Sequence, residues 1–102
     1  MTTKEMYVEI DNLQRKINDM RQSINKAVYN YLEKHIGIAS ANSEASDDLV
    51  GKVVAEEWHC YWDRSMDTII ISYCVFRNKW GDFSDEKEIA VDFATIDKYY
   101  QS

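Results

Sequence analysis

Residues 4–36 read KEMYVEIDNLQRKINDMRQSINKAVYNYLEKHI, and this stretch decides the fold. Apolar residues recur in alternating steps of four and three: Met6, Ile10, Leu13, Ile17, Met20, Ile24, Ala27 and Tyr31. That spacing is a heptad seam, with Ile at three successive a positions and Met or Leu at most d positions. Gly and Pro are absent from the stretch. Thr2 and Glu5 have the spacing of a capping box, Lys34 and His35 lie where cations favour the helix dipole, and Gly37 suits a left-handed stop. The sequence therefore predicts one helix of about nine turns.

The seam changes width along the helix. Up to Ile24 it holds two apolar positions per heptad. From Ala27 it broadens to Ala27, Val28, Tyr31, Leu32, His35 and Ile36, the stripe of a helix lying on a globular core. At 1.5 Å per residue the helix is roughly 50 Å long, more than a small sheet can cover. The N-terminal half is thus expected to overhang, leaving Met6, Ile10, Leu13, Ile17, Met20 and Ile24 for self-association into a homodimer or higher oligomer. Few e and g positions are ionisable, and a parallel pair would set Lys16 against Arg21 of its partner. The competing reading bends the helix near Ser23–Asn25 and folds it back.

Residues 38–50, IASANSEASDDLV, are small and polar at their centre and read as a flexible connection. From Gly51 the hydrophobic period switches to two. Residues 53–62 form one strand, with Val54, Glu56, Trp58, Cys60 and Trp62 on one face and Val53, Ala55, Glu57, His59 and Tyr61 on the other. After the loop DRSMD, the run TIIISYCVFR places Ile69, Ile71, Tyr73 and Val75 opposite Ile70, Ser72, Cys74 and Phe76. It is apolar on both faces, as a central strand is. NKWGDFSDEK is a turn region. EIAVDF alternates as a third strand, and TIDKYYQ follows as a short terminal helix; one continuous helix with a stripe of Ile89, Phe93, Ile96 and Tyr100 is the competing pattern. The expected class is α+β, in one domain spanning 1–102: a long N-terminal helix, then a three-stranded antiparallel meander and a short C-terminal helix.

Several function classes are disfavoured by what the chain contains. Its start carries acids and has no apolar segment of a secretion signal, and two cysteines fit a reducing compartment, so a cytoplasmic location is expected. No apolar run is long enough for a membrane. Three glycines cannot build a phosphate-cradling loop or a dinucleotide fingerprint, so no cofactor is expected. His59 and Cys60 are strand neighbours pointing to opposite faces, which disfavours a nucleophilic pair. Cys60 and Cys74 have the same parity and could approach, but the tight ligand pairs of a zinc site are absent, so no metal is expected. Enzymatic activity is not expected.

Charge is divided unevenly. Residues 1–37 hold six basic and five acidic side chains, a net +1, whereas residues 38–102 hold six basic and thirteen acidic, a net −7. An acidic surface repels nucleic acid and attracts basic protein surfaces. Ten of the thirteen aromatic residues fall in 58–100, more than one face of a small sheet can bury, and Trp and Tyr anchor interfaces. The candidate partner-binding set is therefore Glu56, Trp58, Trp62, Asp63, Asp67, Trp80, Asp82, Phe83, Asp85 and Glu86.

The expected function is a non-enzymatic inhibitor that occupies a basic, nucleic-acid-binding site on a larger protein. In size, acidity and lack of motifs the chain resembles small phage inhibitors of host nucleases and defence complexes (the anti-CRISPR kind) and toxin-immunity proteins. That likeness is one of character, carried by no motif. The alternatives are a coiled-coil oligomeric adaptor or assembly chaperone, and an oligomer that sequesters a small molecule or nucleotide by stacking on Trp58, Trp62 or Trp80.

Overall fold

The computed structural model describes residues 1–100. Helix α1 runs unbroken over Thr3–His35 with no fold-back at Ser23–Asn25. The Thr2 hydroxyl accepts the Glu5 backbone N–H at 3.2 Å and donates to the Glu5 carboxylate at 3.0 Å, so the start is capped by side chains. At the other end the N–H groups of Ile36 and Gly37 both reach the Leu32 carbonyl, with Gly37 at φ +93°. That left-handed turn is the stop expected of this glycine.

Along α1, residues 1–26 are all exposed and burial begins at Ala27. Only Ala27, Val28 and Leu32 are fully buried. The two halves of the helix therefore serve different surfaces, and the molecule extends over 59 × 30 × 26 Å.

The remaining chain forms β1 (Ile38–Ala39), a 3₁₀ turn (Asp47–Leu49), β2 (Val53–Asp63), β3 (Thr68–Val75), β4 (Lys87–Val91) and α2 (Phe93–Asp97). The sheet order is β1-β2-β3-β4. The three longer strands make the antiparallel meander, with β3 at the centre between β2 and β4. β1 adds a short parallel edge, pairing Ile38 with Val53 and Ala39 with Val54. The connection 38–50 thus contains an edge strand and a buried residue, Leu49. The Glu56 carboxylate fastens it further by accepting from Ala41 N at 2.7 Å and from the Ser40 hydroxyl at 3.1 Å.

β2 departs from strict alternation. Val53 pairs with Val75, but Trp58 pairs with Tyr73, so five steps on β2 match two on β3. The three extra residues form an irregular bulge, and an odd excess inverts which face each residue takes. Val53, not Val54, therefore shares the helix-covered face with Trp58 and Cys60, while Val54 turns to the far side.

Two apolar clusters result. The main one lies between α1 and the sheet and includes Val28, Leu32, Val53, Ile71, Val91 and Ile96. A smaller one on the opposite face joins Leu49, Val54 and Phe76, with Phe83 packed against Phe76 at a 5.7 Å ring separation.

The C-terminal pattern resolves as strand then helix, but the boundary lies earlier than the sequence suggests. β4 ends at Val91, and the Asp92 carbonyl accepts from Thr95 and Ile96, so Phe93 opens α2 instead of closing the strand. Tyr99 then packs on the end of α1, where its ring meets Tyr31 edge-on at 5.5 Å and its hydroxyl lies 2.8 Å from His35 Nε2. Gln101, the last residue of the expected helix, is outside the described residues.

Candidate functional site

The sheet presents its residues to two quite different surfaces. Across the 63–68 turn Asp63 pairs with Thr68, and from there back to Trp58 the partners on β2 and β3 differ in parity. Trp58, Cys60 and Trp62 therefore share the α1 side with Tyr73, Ile71 and Ile69. His59 and Tyr61 share the outer side with Ser72 and Ile70.

This register corrects one expectation. Cys60 pairs with Ile71 and belongs to the main core, whereas Cys74 packs with the cluster on the other face, so the two thiols do not converge. Burial pushes the Cys60 thiol up from its ordinary range, and it donates to Asn25 Oδ1 at 3.6 Å. Such a thiol is a poor nucleophile. Among the described residues, no group of three His, Cys, Asp or Glu side chains is arranged to hold a metal ion.

The ten candidate partner-binding residues occupy separate places. Trp62, Asp63 and Asp67 lie at the β2–β3 turn, and Trp58 lies farther along β2, across from Tyr73. At the turn Trp62 Nε1 donates to Asp67 Oδ1 at 3.2 Å, the Arg64 guanidinium stacks 4.9 Å above the indole, and Phe93 meets it edge-on at 6.4 Å. Asp63 holds the turn itself. Its Oδ1 accepts from the Ser65 hydroxyl at 2.7 Å and from the backbone of Ser65 and Met66, which keeps its carboxyl below the usual carboxylate range.

Trp80, Asp82, Phe83, Asp85 and Glu86 lie past the opposite end of β3, roughly 24 Å away along the strand. Asn78 Nδ2 donates to Asp82 at 2.6 Å, Trp80 is 72% exposed, and Phe83 is spent on the small core. Glu56 lies apart, with its carboxylate committed to Ser40 and Ala41.

The outer face carries charge that the periodicity did not single out. Glu86 Oε1 lies 3.9 Å from His59 Nε2, and Glu88 accepts from the buried Ser72 hydroxyl at 3.3 Å. Cys74, at the centre of this face, has its thiol raised by burial and by the negative fields of Glu57, Glu86 and Asp85. Four carboxylates from β2, the 84–87 segment and β4 therefore surround Ser72 and Cys74. Glu57 and Glu88 were not among the candidates: alternation places Glu57 on the face of His59 and Tyr61, but only the pairing of β3 with β4 brings Glu88 to that face, against Ser72.

On the α1 side, a cleft of about 830 Å³ opens where the helix leaves the sheet. Ile24, Trp58, Trp62, Phe93, Ile96 and Tyr100 give it an apolar, aromatic lining, with Arg21 and Asp97 at its polar margin. Burial, then the charge of Asp97, raises the Tyr100 hydroxyl above its usual range. Two lining tryptophans were candidates; Phe93, Ile96 and Tyr100 were foreshadowed only as a stripe of the competing helical pattern.

Among the described residues, no helix is long and apolar enough to cross a membrane. Compared with known proteins, the chain matches no family model, no curated protein and no solved structure.

Proposed function

We propose that this protein is a non-enzymatic binding module, paired through the exposed seam of α1, that presents its acidic sheet face to a basic site on a larger protein. The reading makes it an inhibitor whose carboxylates occupy a surface suited to phosphates. The observation that carries it is the division of surface. Six seam residues, Met6 to Ile24, are each 39–55% exposed on a helix free of its own core, while Glu57, Asp85, Glu86 and Glu88 gather on the opposite side of the sheet. Strands about 4.8 Å apart hold these carboxylates well within a Debye length of one another, so their fields add. With thirteen acidic and six basic side chains over residues 38–102, little on the same half offsets them.

The test is an affinity pull-down from nuclease-treated bacterial lysate, washed at low and at high salt, using the native chain and a Glu57→Lys/Glu86→Lys/Glu88→Lys variant. One dominant basic, nucleic-acid-handling protein, retained by the native chain at low salt and lost with the variant, is expected. Equal capture by both chains at both salt concentrations refutes the electrostatic reading.

A further inference from the structure

The seam and the cleft meet at one residue. Ile24 is the last exposed position of the heptad stripe, and it also lines the cleft beside Arg21. The next seam positions are taken by the chain's own sheet, since Ala27 is buried and Tyr31 packs against the main core. Any helix paired along the seam must therefore stop at the mouth of the cleft.

We propose that α1 pairs antiparallel with α1 of a second copy, about a two-fold axis level with Arg15, and that Met6 and Tyr7 of that copy close the cleft. This rests on the self-association read above and adds its direction and register. In this register every seam residue finds an a-to-d partner: Met6 against Ile24, Ile10 against Met20, and Leu13 against Ile17, each twice by symmetry. The paired stretch covers roughly 27 Å of helix and on the order of 800 Å² per copy with its flanking positions, the size of a standard interface.

Flanking charges select the direction. A parallel pair sets each g residue against the following e residue of its partner, which brings Lys16 against Arg21 twice and offers no compensating ion pair. An antiparallel pair sets e beside e and g beside g. Lys16 then meets one like charge, its own symmetry mate, while Gln14 meets Gln14, and Tyr7 meets Arg21. Tyr7 is 67% exposed in the isolated chain, and Arg21 stands at the edge of the cleft. A tyrosine ring brought over that guanidinium makes a cation–π contact and presents its apolar edge to the aromatic lining. The second copy is thus the occupant that fits both the unpaired seam and the open cleft.

Sedimentation of the full chain, with disulfide trapping of Gln14→Cys and Ile17→Cys variants, tests the arrangement. The expected result is a dimer in which Gln14→Cys forms an interchain disulfide through residue 14, mapped by mass spectrometry, and Ile17→Cys does not. Trapping through Ile17→Cys but not Gln14→Cys, as in a parallel pair, overturns the direction and leaves self-association standing. A chain that stays monomeric overturns both. Tyr7→Ala separates the cleft from the seam: it should raise the dimer dissociation constant on the order of tenfold, and an unchanged constant overturns closure of the cleft.

Discussion

Replacing Leu32 by Ala tests how α1 is held. Leu32 has no exposed surface and packs in the main cluster with Val28, Val53, Ile71 and Ile96. Because α1 buries only three residues completely, and one of them is already Ala, Leu32 supplies much of the apolar volume that fixes helix to sheet. A buried Leu→Ala change costs about 2–5 kcal/mol, with more lost where neighbours cannot close in. The site lies between a long rigid helix and a paired sheet, which places the cost at about 3–4 kcal/mol. For a domain of this size that lowers Tm by roughly 15–25 °C. The control is Leu13→Ala, which alters an equally large side chain that is 53% exposed. At protein concentrations low enough to keep copies apart, it should change stability by less than about 0.5 kcal/mol. Urea unfolding followed by circular dichroism at several concentrations measures both. A loss under about 1 kcal/mol for Leu32→Ala, or equal losses for the two variants at high dilution, would refute the division of α1 into a packed half and a free half.

Three further outcomes follow from local geometry. Gly37→Ala places a side chain at φ +93°, 3.4 Å from Lys52 Cγ, and should cost about 1–2 kcal/mol in thermal unfolding; an unchanged Tm would show that the turn can relax. Asp63 has its folded pKa depressed by Ser65 and Met66, so its stabilising effect is complete above the ordinary carboxylate range and is lost as pH falls through the folded value. Asp63→Asn should remove that acid-side dependence, and an NMR titration of Asp63 at or above about pH 4 would contradict the assignment. Cys60 and Cys74 both have raised thiol pKa values from burial, so iodoacetamide at neutral pH should label the folded chain more slowly than the urea-unfolded one. Equal rates would mean that the thiols are open to solvent.

Much of the fold is legible because it depends on short-range pattern. Heptad spacing from Met6 to Tyr31, the Thr2–Glu5 cap and Gly37 define α1 within a few turns of chain, and the widening at Ala27 marks where packing begins. The run from Thr68 to Val75 is apolar on both faces, which gives β3 its central place. The candidate site is less legible. Trp62, Asp63 and Asp67 come together because a turn joins them, but Glu56 is drawn away to Ser40 and Ala41, and Phe83 is consumed by the small core.

The sequence by itself determined the long helix α1 and the strands β2 and β3, where the helix is free of its own core, and which half of the chain carries the negative charge. These follow from periodicity and composition, which neighbouring residues set among themselves. Tertiary structure decided the bulge in β2, the pairing of Ile38 and Ala39 with Val53 and Val54, the separation of Cys60 from Cys74, and the gathering of Glu57, Asp85, Glu86 and Glu88 on one face. Strand pairing accounts for them. The register across the 63–68 turn puts Cys60 and Cys74 on opposite faces, and the β3–β4 register brings Glu88 to Ser72. The three-residue excess in β2 inverts the faces of Val53 and Val54 relative to Trp58.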